Sequence, residues 1–134
     1  MGRTSMSWNR YLLVALGGAL GSVGRYWVGG WVPRLLGPAF PYGTLAVNVL
    51  GSFLISLVMG VALSTTTIPV NLRLFLTTGI LGGFTTYSTF NYETLVLLQQ
   101  RFWLTGGLNL AATFLGCLAA GALGFSLSRL VTGA

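Results

Sequence analysis

Four long apolar runs, separated by short breaks rich in proline, glycine and polar residues, constrain this chain more than any other feature. They cover residues of about 11–32, 43–63, 71–98 and 102–130. A helix needs about 20 apolar residues to cross the hydrocarbon core of a bilayer, so each run is long enough for one crossing. Short connections place consecutive helices antiparallel and adjacent. We therefore predict an all-α membrane protein, with residues 1–134 forming a single domain of four transmembrane helices.

The scarcity of charge excludes most soluble functions. Only 6% of the residues are charged, and the mean hydropathy is +0.81, whereas a soluble domain needs several times more charge on its surface. All seven basic residues are arginines that stand singly between apolar runs, so no nucleic-acid-binding patch is predicted. With Glu93 as the one acid and no histidine, the chain offers no acid–base pair or metal cluster. We expect no enzyme, and a multi-pass location in the cell inner (cytoplasmic) membrane.

The arginines specify the membrane orientation only weakly. With four spans both termini lie on one side of the membrane, together with four of the arginines. Two arginines lie on the opposite side, and one lies within the first span. In that order they are Arg3, Arg10, Arg73 and Arg129, then Arg34 and Arg101, then Arg25. The positive-inside rule then allows two interpretations. Either the termini lie inside, or the chain inserts both ways and pairs antiparallel with a second copy.

Two spans carry polar residues at a spacing of four. These are Thr44, Asn48, Ser52 and Ser56 in the second span, and Asn109, Thr113 and Cys117 in the fourth. Polar groups inside a membrane cost free energy unless they find partners. The rows indicate either hydrogen bonds that hold the helices together or a shared hydrophilic track.

The third span carries the strongest signal. Gly82-Gly83 lies at its centre and is followed by β-branched Thr85-Thr86, and seven hydroxyl side chains occur between Thr85 and Thr94. This composition disfavours a continuous helix and predicts a break. A broken helix frees carbonyls that bind cations and N–H groups that favour anions, which indicates an ion site. A kink without a ligand is the alternative.

Three further side chains of the first and third spans have two interpretations each. Phe84, Tyr87 and Phe90 recur every third residue, so they are expected on one helical face, packed in the core or with ring edges toward an anion. Arg25 either extends to the lipid headgroups or gives positive charge to a pore vestibule. Glu93 is either a partner for Arg25 or a lone buried acid.

Three segments resemble the signatures of the Fluc (CrcB) fluoride channels. The run Gly82 to Phe90 resembles one signature, the run Gly43 to Ser52 resembles a second, and the glycine-rich first span ending in Arg25-Tyr26 is similar to a third. The resemblance covers the whole chain in length and order. It implies four-helix subunits that pair as dual-topology antiparallel homodimers with two fluoride pathways.

The resemblance also assigns residues to roles. It implies a structural sodium ion at the dimer centre, held by the backbone carbonyls of Gly82 and Thr85. The ring positions along each pathway fall on Tyr87 and Phe90, and the pathway amide falls on Asn48. A tyrosine that many members have in the fourth span falls on Asn109.

The chemistry of fluoride agrees with the residues present. Fluoride is a small anion whose water is costly to remove, so a selective path must offer close hydrogen-bond donors. Such donors occur on Asn48, Ser88, Thr89, Thr113 and the Tyr87 hydroxyl. We therefore expect passive, fluoride-selective export. The alternatives are a small dual-topology multidrug or cation exporter, which would use Glu93 as its only carboxylate, and a non-transporting assembly subunit.

Overall fold

Every regular element in the described part of the chain is a helix. The computed structural model describes residues 7–134, so Arg3 lies outside the described residues. The elements are α1 (Trp8–Leu36), α2 (Tyr42–Ser64), α3 (Val70–Leu74), a π-helical segment (Phe75–Leu81), α4 (Gly82–Phe84), α5 (Tyr87–Gln99) and α6 (Trp103–Thr132). The prediction of an all-α protein is confirmed.

Three of these helices, α1, α2 and α6, are long and apolar enough to cross a membrane. Residues 70–99 form no single helix of that length. The backbone is extended at Thr85 (φ −80°, ψ 158°) and Thr86 (φ −153°, ψ 110°), and this separates α4 from α5. The segment predicted as the third span is therefore several short helices in series.

The first helix continues past the proline at which the sequence suggested its end. Pro33 lies in the last turn, and α1 ends at Leu36. Gly37 follows it with a positive φ of 89°, and its N–H donates to the Pro33 carbonyl at 2.8 Å. Pro33 has no N–H and leaves the Gly29 carbonyl without its helical donor. α2 crosses α1 at this point, where a Cβ on Gly43 would lie 2.6 Å from the Gly29 oxygen.

Small residues bring α2 and α6 together. Ala120, Gly124 and Ser128 are buried along α6, and a Cβ on Gly124 would lie 3.0 Å from the Leu57 amide nitrogen of α2. Ser128 in turn packs against Gly60 of α2. The small-residue row therefore lets two backbones approach and gain dispersion contacts.

Glycines of α1 also form its contact with the π-helical segment and α4. A Cβ on Gly17 would lie 2.7 Å from the Phe75 carbonyl oxygen, and one on Gly21 would overlap the Ile80 carbonyl. From the other side, a Cβ on Gly83 would lie 2.6 Å from the Gly18 oxygen. Because these neighbours are backbone atoms, they cannot rotate away, and α1 rigidly supports the chain up to the break.

Candidate functional site

An asparagine from α2 takes over the hydrogen bonds that the break interrupts. The Thr86 N–H donates to Asn48 Oδ1 at 2.8 Å, and Asn48 Nδ2 donates to the Thr86 carbonyl at 2.9 Å. Both residues are buried. An extended residue in a dry environment must have its backbone groups paired, and the side-chain amide of Asn48 pairs both groups at once.

Two backbone carbonyls lose their helical donors at the break, one to Asn48 and one to the Thr86 hydroxyl. In a continuous α-helix the Thr86 N–H would bond the Gly82 carbonyl, but here it bonds Asn48. Likewise the Thr89 N–H donates to Thr86 Oγ1 at 3.2 Å and not to the Thr85 carbonyl. Gly82 and Thr85 are the two residues predicted to hold sodium. Backbone carbonyl oxygens without a hydrogen-bond donor at the end of a half-helix are suitable ligands for such a cation.

The glycine pair does not produce the break, contrary to the sequence-based explanation. Gly82 has ordinary right-handed helical angles (φ −63°, ψ −38°), and both glycines belong to α4. The chain becomes extended only at Thr85 and Thr86, where a side chain from another helix supplies partners. Gly83 is required for the close approach of α1 described above.

Phe84 was also misplaced by the sequence pattern. It lies before the break and is buried, and a Cβ on Gly24 of α1 would lie 3.6 Å from its ring. Tyr87 and Phe90 lie after the break, in α5, with ring centroids 5.6 Å apart and an edge-on angle of 65°. The extended residues Thr85 and Thr86 separate α4 from α5, so Phe84 belongs to a different helix from the other two rings.

A first cavity of about 780 Å³ lies between α1, α2 and α5. Arg25 and Arg34 of α1 line it together with Thr89 and Glu93 of α5. Glu93 Oε1 accepts a hydrogen bond of 2.9 Å from the Thr44 hydroxyl, while its Oε2 is buried and has no partner among residues 7–134. The structure thus brings the two predicted vestibule residues, Arg25 and Glu93, into one cavity.

A second cavity of about 1110 Å³ lies on the other side of the break. Six of the predicted site residues line it: Gly82, Thr85, Asn48, Tyr87, Phe90 and Thr113. The Thr113 hydroxyl is buried and makes no hydrogen bond within the described residues. A buried unpaired hydroxyl on the wall of a cavity is suited to bind water or an ion.

The remaining sequence-predicted residues lie apart from these cavities. Ser88 is exposed and lines neither cavity, and its hydroxyl lies 3.4 Å from that of Thr86. Asn109 also lines neither, because its amide donates to the Thr94 hydroxyl of α5 at 2.9 Å. The polar groups of α6 therefore divide between Thr113, which faces a cavity, and Asn109, which ties two helices.

Thr86 is the residue that the sequence interpretation missed. It lines both cavities, and its hydroxyl caps the N-terminus of α5 by accepting from the Thr89 N–H. A signal was present, because a threonine just before a helical run is a typical N-cap. The surrounding hydroxyl residues obscured it.

A sequence profile described as CrcB-like protein, Camphor Resistance (CrcB), matches residues 12–125. The chain belongs to the CrcB family. Curated relatives of this CrcB-family chain are each named fluoride-specific ion channel FluC. The relative from Anaeromyxobacter dehalogenans is 52% identical, with 92% of this chain and 98% of the relative aligned. The relative from Sorangium cellulosum is 47% identical over 90% and 94%, and that from Geobacter metallireducens is 52% identical over 87% and 94%.

These comparisons confirm the family that the three sequence signatures indicated. Relatives named as ion channels agree with the expectation that this CrcB-family chain is not an enzyme. With three helices apolar enough to cross a membrane, it is a multi-pass protein of the inner membrane, as expected.

Proposed function

We propose that this chain is a fluoride-selective ion channel. The observation that carries the proposal is the break at Thr85-Thr86, where Thr86 lines two cavities and Asn48 pairs its backbone. Relatives about half identical over nearly their whole length are named fluoride-specific channels, which supports the same substrate.

The pathway runs from the first cavity past the break into the second. Arg25 and Arg34 give the first cavity positive charge, which raises the local concentration of anions. Beyond Thr86 and Thr89, fluoride meets the edges of the Tyr87 and Phe90 rings, which carry partial positive charge. Hydroxyl and amide donors replace the water that the ion sheds.

The unpaired hydroxyl of Thr113 is one such donor. Of the predicted donors, Asn48, Thr113 and the Tyr87 hydroxyl belong to residues of the second cavity, and Thr89 belongs to the first. Ser88 is not counted among them, because it lines neither cavity and its hydroxyl lies 3.4 Å from that of Thr86. Negative-inside potential drives passive export, because it favours anion exit by about 2.3 kcal/mol per 100 mV.

We propose further that residues 70–99 cross the membrane as a broken helix, and that two chains pair antiparallel. The second cavity opens on an apolar face of α6 whose large side chains are exposed, namely Leu110, Phe114, Leu118 and Phe125. Tyr87 on the same side is 77% exposed. A second copy related by a twofold axis would cover this face and contribute a second pair of Gly82 and Thr85 carbonyls.

A structural sodium ion held by these carbonyls would supply positive potential at the dimer centre, and no charged side chain of the described residues lines the second cavity beside it. The Thr85 hydroxyl already donates to the Leu81 carbonyl at 3.0 Å, whereas the Thr85 carbonyl has lost its helical donor to the Thr86 hydroxyl, and we therefore assign the cation to the carbonyl. Replacing sodium by N-methylglucamine should therefore weaken dimer association, measured by light scattering in detergent. Unchanged association would remove sodium from the proposal.

The test of the main proposal is ion efflux from liposomes that contain the purified protein. We expect rapid fluoride efflux, measured with a fluoride electrode under valinomycin, and no chloride efflux. Equal efflux of both halides would contradict selectivity. Proton-driven transport of a cationic dye would support the multidrug exporter instead, an alternative that the family of the chain does not favour.

The antiparallel arrangement has its own test. A cysteine at Thr66, in the connection between α2 and α3, should be modified from both sides of the membrane in intact cells, in a Cys117→Ser background. Modification from one side only would refute dual topology while leaving the proposed ion selectivity untouched.

A further inference from the structure

Two asparagines from different helices hold α5 on either side of Phe90. Asn48 of α2 binds the backbone of Thr86 at the start of α5, and Asn109 of α6 binds the side chain of Thr94. Phe90 and Thr94 are four residues apart in α5 and lie on the same side of that helix, and Phe90 is midway in sequence between the two attachment points Thr86 and Thr94.

The Thr94 hydroxyl connects Asn109 to the backbone of Phe90. Asn109 Nδ2 donates to Thr94 Oγ1 at 2.9 Å, and that hydroxyl donates to the Phe90 carbonyl at 2.8 Å. Asn109, Thr94 and Phe90 are 2%, 4% and 8% exposed. Linked hydrogen bonds polarise one another in a low dielectric, so this amide–hydroxyl–carbonyl chain strengthens as a unit.

Only the last residue of the chain of bonds faces the cavity. Phe90 lines the second cavity, whereas Asn109 and Thr94 line neither cavity. The ring of Phe90 also meets that of Tyr87 edge-on. Any rotation of α5 about its axis would move the rings of both Tyr87 and Phe90. The hydrogen bond from Asn109 to Thr94 opposes that rotation, because Thr94 lies one helical turn after Phe90.

We infer that Asn109 is a positioning residue that fixes the Phe90 ring in the ion pathway through Thr94. This inference rests on the proposed channel function. Asn109 then links α6 to α5 by a hydrogen bond and does not itself line the ion pathway. Loss of the tie should lower fluoride flux and relax discrimination against chloride, because a less constrained ring admits a larger anion.

The bond can be removed from either end with little change in volume. Thr94→Val and Asn109→Leu each break it, and Thr94→Ser retains the hydroxyl. One hydrogen bond contributes enough to change the population of a conformer about 2- to 12-fold, so we expect a fall in fluoride flux of that order for the first two variants. The double variant should fall no further than Thr94→Val alone, because that variant already removes both the Asn109–Thr94 bond and the Thr94–Phe90 bond.

Thr132→Val is the matched control. The Thr132 hydroxyl makes the same type of bond, 2.8 Å to the Ser128 carbonyl four residues earlier, and accepts none from another helix within the described residues. Its flux and halide selectivity should equal those of the wild type. A ¹⁹F-labelled phenylalanine at position 90 gives a second readout, which should shift in Thr94→Val and Asn109→Leu and return in Thr94→Ser.

The outcomes separate this inference from the proposed function. If the wild type does not conduct fluoride, the channel proposal fails, and the ¹⁹F spectrum still tests the tie to Phe90. If the wild type conducts and the variants lose only thermal stability, with unchanged selectivity and an unchanged ¹⁹F spectrum, the positioning role is overturned. If Asn109→Leu fails to fold, Thr94→Val and Thr94→Ser make the same comparison, and equal flux and spectra for these two would overturn it.

Discussion

Replacing Asn48 with leucine should separate the structural role of its amide from any contact with an ion. Leucine keeps the side-chain volume of α2 but removes both bonds to Thr86, which are 2.8 and 2.9 Å long. The Thr86 N–H would then be buried without a partner, at a cost of about 1–3 kcal/mol. The Thr86 carbonyl is the N-cap carbonyl and still accepts the first helical bond of α5. It would lose only the additional bond from Asn48, at a cost of about 0.5–1.5 kcal/mol.

Added together, these terms predict that Asn48→Leu lowers the free energy of unfolding by about 1.5–4.5 kcal/mol. The measurement is denaturant unfolding in detergent micelles followed by tryptophan fluorescence. Asn71→Leu, on an exposed residue of α3, is the matched control and should change stability little. Stability of Asn48→Leu within about 0.5 kcal/mol of the wild type would refute the argument, since substitutions outside such bonds fall in that range.

The companion variant Asn48→Asp tests the electrostatic role. Aspartate keeps an acceptor for the Thr86 N–H, but it removes the donor to the Thr86 carbonyl and places negative charge beside the proposed path. We expect fluoride efflux to be abolished or severely slowed while dimer assembly is preserved. Unchanged efflux would remove Asn48 from the pathway.

Three further variants test other features. Gly83→Ala should destabilise the fold by about 1–3 kcal/mol, because its Cβ would lie 2.6 Å from the Gly18 carbonyl oxygen. The neighbouring Gly82→Ala is the control and should fold normally, because a Cβ at position 82 has room. Equal unfolding curves for the two variants would contradict this. Arg101→Gly should raise stability by about 1 kcal/mol, since Arg101 has φ 64°, and a lower melting temperature would argue against it. Thr113→Val should fold at least as stably as the wild type, because it deletes a buried unpaired hydroxyl, and yet carry less fluoride; full flux would exclude this hydroxyl from the path.

The sequence predicted the helices well because hydrophobic length is a local property. Its run of about 43–63 corresponds to α2 at Tyr42–Ser64, and its run of about 102–130 to α6 at Trp103–Thr132. The polar row of α2 was also readable, since Thr44 and Asn48 both face α5. A spacing of four on a helix was enough to place these side chains on one side.

The position of the break was not predictable, because its cause lies in another helix. Glycines 82 and 83 suggested a break by propensity, but they remain helical, and the chain opens at Thr86 where Asn48 supplies partners. The π-helical segment Phe75–Leu81 gave no sequence signal either. It lies against Gly17 and Gly21 of α1, and tertiary packing of this kind overrides local propensity.

The interruption of residues 70–99 also bears on how the chain is made. A segment without a long apolar helix partitions poorly into lipid by itself, since its open backbone would meet hydrocarbon. The two bonds from Asn48 form only once α2 lies beside this segment, and the bond from Asn109 forms only after α6 has been synthesised. The third crossing that we propose is therefore completed late in biogenesis, because neighbouring helices must first supply the hydrogen-bond partners that lipid lacks.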